Sequence, residues 1–227
     1  MLKPRRKIMR KEIKKDPVLE KLAQAEQVLR TRSRLIGIAT LVLVAGVVLT
    51  SLFWQSKKSA NVEAAGELGL ALLAIQGGDL DAGMVALENV VDKFKNTSSA
   101  GMAVLTLGRN YLAKNDFTNA RVQFEKYIKS YKHDHFFTAI AYNGLGICAE
   151  QDGDIEAAVK YFENAGNAAP YKFQKQEYQL NCARNLMKLN QIDKAEKYIR
   201  KVLDGEPEFT LKNTAEILLG QIDALKG

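Results

Sequence analysis

Few residues in this chain have the types and spacing that chemistry needs. His133-Asp134-His135 is the only cluster that brings ligand-bearing side chains together. Two imidazoles and one carboxylate so close in sequence seldom converge on one ion, and a structural zinc site uses four ligands. The cluster also falls where a polar turn is expected, so no metal is assigned to it. Two histidines in 227 residues leave little material for acid–base work. The two cysteines, Cys148 and Cys182, are too few for a disulfide framework. They read as small hydrophobes at helix crossings, and a bridge between them would need Cα atoms within ~7 Å. The chain contains no G-x-x-x-x-G-K-[ST], H-E-x-x-H or G-x-S-x-G, and no G-x-G-x-x-G following a strand. No cofactor, no small-molecule substrate and no enzymatic activity are expected. Function must come from a surface, and so from the elements that shape one.

Those elements are predicted to be helices. Hydrophobic residues make up 47% of the chain and charged ones 26%, a globular balance. Only 16 Gly and 4 Pro leave little turn punctuation for a sandwich or barrel. The net charge of +7 is a poor guide to partners. Residues 1–34 hold twelve Lys/Arg against four acids, a tail of +8; the rest sums to −1. A nucleic-acid partner is not expected from a body so nearly neutral.

Leu35 to Trp54 follows the tail as twenty residues without a charge. At ~1.5 Å per residue such a helix reaches roughly 30 Å, the hydrocarbon thickness of a bilayer. A buried core helix would show a polar face, and this run has none. A cleaved signal peptide has a short charged region and an apolar core of ~7–15 residues; both are longer here, so an uncleaved anchor is expected. Phe53 and Trp54 suit the far interface. Arg30, Arg32 and Arg34 directly before the span place the N-terminus in the cytoplasm and the C-terminal body outside it. A bacterial inner membrane, crossed once, with a periplasmic C-terminal domain is the expected address. Within the tail, Asp16-Pro17 reads as a helix start, and Val18, Leu22, Ala25 and Leu29 form one apolar stripe.

The domain reading is therefore 1–34 basic tail with an amphipathic helix, 35–54 span, 55–62 linker and 63–227 repeats. The repeats announce themselves in four turn motifs: GGDLDAG (77–83), KNDFTNA (114–120), DGDIEAA (152–158) and LNQIDKA (189–195). Their last residues, Gly83, Ala120, Ala158 and Ala195, are 37 or 38 apart. Twelve residues before each stands another small residue: Ala71, Gly108, Gly146, Ala183. Four after each stands a larger one: Leu87, Phe124, Phe162, Ile199. Small residues let two antiparallel helices approach, and the large one fills the space to the next helix. Lys212–Lys226 reads as a capping helix, apolar on Ala215, Leu218, Leu219 and Ile222 and polar elsewhere. Ser98 or Ser99 is expected to cap a lengthened first helix.

Leu107-Gly108, Tyr111, Ala120 and Phe124 resemble a tetratricopeptide repeat. Leu145-Gly146, Ala158, Phe162, Ala165 and Pro170 resemble it more closely; Ala195 and Pro207 continue it. The fold class is thus read as all-α: a single transmembrane helix followed by a tetratricopeptide-type right-handed α-solenoid of four units and a cap. Tail, span and lengthened repeats in this order resemble the ancillary SecYEG translocon subunit family. That resemblance implies an inner-membrane protein associated with the Sec translocon, passing exported chains to periplasmic chaperones.

In the tetratricopeptide frame the first helix of each pair lines the concave face. The groove is then expected at Met102, Leu105, Arg109 and Leu112, at Asn143, Ile147 and Glu150, and at Leu180, Arg184, Met187 and Lys188. This mixture suits a helix or extended segment with apolar anchors. The carboxylate clamp of cytosolic chaperone adaptors is missing, because Leu105 and Asn143 stand where it needs Lys. A membrane-anchored scaffold that binds polypeptides, as a translocon or envelope-assembly accessory factor, is the expected function. The alternative is a permanent structural subunit of a larger membrane complex.

Overall fold

The computed structural model describes residues 17–132 and 134–226, and among these there is no strand. The chain divides into two units, Met1–Lys57 and Lys58–Gly227.

In the first unit α1 spans Pro17–Thr31, and α2, Ser33–Gln76, begins after a bend at Arg32. Asp16, the expected cap of α1, lies outside the described residues. The apolar run Leu35–Trp54 is helical throughout, and every residue in it is exposed. A core helix would be buried on at least one side, so that alternative fails. Thr40 and Thr50 donate their hydroxyls to the carbonyls of Ile36 and Gly46, both at 2.9 Å. A hydroxyl satisfied inside its own helix needs no water, as lipid would require. Among the described residues α2 is the one helix long and apolar enough to cross a bilayer.

In the second unit α2 continues to Gln76, and residues 55–62, set apart above as a linker, are helical. Four hairpins follow one another. The last part of α2 pairs with α3 (Leu80–Lys93), α4 (Ser98–Ala113) with α5 (Phe117–Ser130), and α6 (His135–Gln151) with α7 (Ile155–Ala168). Then α8 (Lys172–Lys188) pairs with α9 (Ile192–Asp204), and α10 (Phe209–Lys226) closes the stack.

Each hairpin turns by the same local chemistry. Gly78, Asn115, Gly153 and Asn190 hold positive φ of 92°, 58°, 80° and 57°. Glycine and asparagine tolerate this left-handed region best, which is why the turn motifs carry them there. The next residue's N–H then reaches back over the helix end: Asp79 to Ala74, Asp116 to Tyr111, Asp154 to Ala149 and Gln191 to Leu186, at 2.8–3.0 Å. The same residue starts the second helix. Asp79, Asp116 and Asp154 accept from the N–H groups of Ala82, Asn119 and Ala157. Gln191 makes no such cap bond. Between hairpins, α4 is capped by Thr97, which accepts from the Ala100 N–H at 3.1 Å. That corrects the expectation for Ser98 or Ser99 by one residue: Ser98 is already helical.

The small–small–large spacing is the core. A Cβ on Gly108 would lie 2.8 Å from the Phe124 ring, and one on Gly146 would lie 2.6 Å from the Phe162 ring. Phe124, Phe162, Leu87 and Ile199 are all fully buried, as are Ala71, Ala120, Ala158, Ala183 and Ala195. Burying one such Phe or Leu removes it from water for roughly 1.5–3 kcal/mol. Cys148 and Cys182 are buried and free, and the Cys182 thiol donates to the Val159 carbonyl.

Candidate functional site

Of the first helices in successive hairpins, α4 touches α6 and α8 touches α10. The second helices make no comparable contact among the described residues. At these two joints the first helices approach one another more closely than the second helices do, which puts them on the inside of the curve with their free side chains on the concave side; α6 and α8 stand further apart.

Here α6 and α8 are tied by polar side chains. Asn181 donates its Nδ2 to Asn143 Oδ1 at 3.3 Å, and Arg184 donates to Asn181 Oδ1 at 2.8 Å. Lys188 pairs with Glu150 across the same two helices. Asn185 donates to the Asn181 carbonyl at 3.0 Å, while its buried Oδ1 accepts from no group among the described residues. The half-buried amides of Asn143 and Asn181 can offer hydrogen bonds to an incoming backbone, whereas the Asn185 Oδ1 is sealed away from one.

Beside this ladder, Arg184, Met187 and Lys188 of α8 and Thr214, Ile217, Leu218 and Gln221 of α10 enclose a hollow of about 490 Å³. Its floor is apolar and its rim charged. Ile217 remains 54% exposed. An open apolar residue within a polar rim is where a partner side chain would gain most by leaving water. A larger hollow of about 610 Å³ lies between α7 and α9, walled by Val159, Leu186, Leu189 and Tyr198 with three lysines and two glutamates at its edge. It sits on the second-helix side. Burial and a hydrogen bond to Glu163 push the Tyr198 phenol up and keep it neutral there.

The expected groove residues divide three ways. Asn143, Glu150, Arg184, Met187 and Lys188 are brought together as described. Arg109 is exposed, while Met102, Leu112 and Ile147 are half-buried, Leu112 and Ile147 being packed against the core. Leu105 and Leu180 do not face the groove: at 3% and 1% exposure they fill the core, so they are corrected to packing residues. Sequence reasoning missed Asn181, Thr214, Ile217 and Gln221. Ile217 was legible only as one of three large apolar residues of α10, with Phe209 and Leu225, that lie off the stripe packing inward and stay exposed.

Among the described residues no group of three or more His, Cys, Asp or Glu stands where it could hold a metal ion. Asp134 spends its carboxylate on the start of α6, accepting from the N–H groups of Phe136 and Phe137. His133 lies outside the described residues. Burial pushes the Cys148 thiol up to about 11 and the Cys182 thiol to about 12, so neither is a thiolate near neutrality.

Residues 32–179 match the family described as tetratricopeptide repeat-like domain, and residues 177–208 match tetratricopeptide repeat. No curated protein matches the chain. Among solved structures, the MamA protein is 17% identical, with a TM-score of 0.55 over 71% of this chain and 85% of that one. The pilF protein of Pseudomonas aeruginosa is 16% identical, with a TM-score of 0.55 over 73% of this chain and 70% of that one. A chain of the APC/C hetero-tetramer Cut9-Hcn1 is 18% identical at a TM-score of 0.49; 63% of this chain spans 26% of its length.

Proposed function

We propose, from the premise that the chain belongs to the tetratricopeptide repeat-like domain family, that it is a membrane-anchored polypeptide-binding scaffold. The repeat fold is a protein-interaction fold, and the concave face of α6, α8 and α10 is where a partner segment binds. The observation that carries this reading is the hollow at Met187 and Ile217, apolar at its floor and flanked by the Asn143–Asn181–Arg184 ladder. An apolar side chain of the partner enters the hollow while its backbone meets the amides.

Leu35–Trp54 is the anchor, supported by its length, its full exposure and its internally bonded hydroxyls. The arginine-rich side stays in the cytoplasm and the repeats lie across the membrane, in a bacterium on the periplasmic side. The client is an exported polypeptide, received near the Sec translocon or an envelope-assembly machine and passed to periplasmic chaperones.

Two experiments test this. A carbonate wash of membranes should leave the chain in the pellet, and protease should reach the repeats in spheroplasts but not in inner-membrane vesicles of opposite orientation. A photoreactive residue at Met187 should crosslink to exported chains or Sec components in native membranes. Release by carbonate would sink the anchor. Crosslinks no richer than those from Val122, on the exposed side of α5, would sink the groove.

A further inference from the structure

The two ends of the repeat module differ in charge. The turns within hairpins, each taken with four helical residues on either side, carry eight acidic residues against three basic. The turns between hairpins, counted the same way, carry eight basic against five acidic.

The basic end also holds the exposed aromatic rings. Phe136 opens α6 and meets Tyr171 edge-on, with ring centroids 5.9 Å apart; Tyr171 stacks on Phe173 at the start of α8, also at 5.9 Å. Tyr171 and Phe173 are 54% and 47% exposed. Lys132, Lys172 and Lys175 stand around these rings in sequence, exposed and in no ion pair among the described residues. Part of the ledge is the surplus that lengthens this repeat beyond the usual ~34 residues, since His135–Thr138 and Phe173–Lys175 are the inserted turns.

Connectivity fixes which end this is. Short turns make consecutive helices antiparallel, so α4, α6, α8 and α10 run in the same sense as the Lys58–Gln76 part of α2. Their first turns lie at the end where the chain enters the module. In sequence that entry comes four residues after Trp54, the last residue of the apolar run.

We infer that the aromatic–lysine ledge at the starts of α6 and α8 rests on the headgroup surface of an anionic bilayer. Tyr171, an apolar ring with a wet hydroxyl, settles at that depth, the exposed Phe173 ring buries beside it in the headgroup–acyl boundary, and unpaired lysines are drawn to lipid phosphates. The acidic end would be repelled by the same surface and so faces away from it. A protein partner would also accept the rings. The unpaired cations and the position of chain entry favour lipid. The inference rests on the membrane-anchor reading and adds to it a second, reversible contact that limits how the module tilts.

The test uses the full chain in nanodiscs of phosphatidylcholine and phosphatidylglycerol, with a nitroxide on the lipid headgroup. In a Trp54→Phe background, tryptophan replaces either Phe173 on the ledge or Val122 on α5. Quenching at 173 should exceed that at 122 by about twofold or more, and should weaken with salt or with Lys132, Lys172 and Lys175 changed to Glu. Helix content by circular dichroism checks that each variant is folded. Equal quenching at both positions, in a chain that resists carbonate, overturns the ledge and leaves the anchor standing. Release by carbonate removes the anchor reading and the ledge with it. A photoreactive residue at 173 that crosslinks to protein instead of lipid also overturns the inference.

Discussion

Gly144 of α6 lies flat against the ring of Phe124 of α5, with no room for a Cβ between them: one would stand 2.6 Å from Phe124 Cδ2 and closer still to Cε2 and Cζ. The ring cannot retreat, because Gly108 of α4 presses on it from its own hairpin. One phenyl ring thus welds two successive hairpins. Gly144→Ala should overpack the joint and cost about 1–3 kcal/mol, seen as a fall in denaturation midpoint. Gly166→Ala is the contrast. Its Cβ would meet only Tyr178 Cβ, at 3.9 Å, inside a helix. It should raise stability by about 0.5–1 kcal/mol. A loss at Gly166 as large as that at Gly144 would show that packing is not the cause.

The fourth hairpin lacks a bond that the other three have. Asp79, Asp116 and Asp154 cap their second helices, while Gln191 stands at the equivalent place without a cap bond. Gln191→Asp should supply the acceptor and add about 0.5–2 kcal/mol. Asp154→Ala should remove a similar amount. Both are read from urea unfolding curves, and an unchanged midpoint for Gln191→Asp would mean that α9 starts elsewhere.

Alkaline pH should loosen the module. Burial raises Cys148 from 9.0 to about 11 and Cys182 to about 12; it raises Tyr127 and Tyr178 from 10.0 to about 12. Above pH 9 the unfolded chain begins to release protons that the folded chain keeps. The unfolded state then binds fewer protons, so stability falls as pH rises. The contribution is whole below pH 9 and is lost as pH climbs through 11 to 12. The melting temperature should be flat from pH 7 to 8.5 and fall by roughly 5–10 °C by pH 11. A fall that begins below pH 8 would point to other groups.

How far the sequence reaches depends on whether a contact repeats. Gly108 with Phe124 and Gly146 with Phe162 recur at one period, so alignment of the chain on itself finds them. Gly144 does not, because its partner Phe124 belongs to the preceding hairpin and the corresponding position of the next first helix is Asn181, not a glycine. The repeat frame points Leu105 and Leu180 at the groove, because a helix position gives a direction but not the distance to the neighbouring helix. The close approach of α4 to α6 and of α8 to α10 closes over both side chains. The turns were visible as motifs. The left-handed Gly78, Asn115, Gly153 and Asn190 explain why those motifs contain Gly or Asn just before the capping residue.

Ile217 decides whether the hollow between α8 and α10 is a binding site or a gap left by the end of the stack. It is 54% exposed, so Ile217→Asn should change stability by no more than about 0.5 kcal/mol. Were the hollow a gap, nothing else would change. As an anchor pocket it would lose the contact that a partner buries most completely, and affinity should fall about tenfold or more, the scale of an interface hot spot. The readout is the yield of client crosslinks from a photoreactive residue at Met187 in native membranes. Val122→Asn, on the outer side of α5, should leave that yield unchanged. Equal loss from both variants would place the cause in the fold, and loss from neither would return Ile217 to the surface of a capping helix.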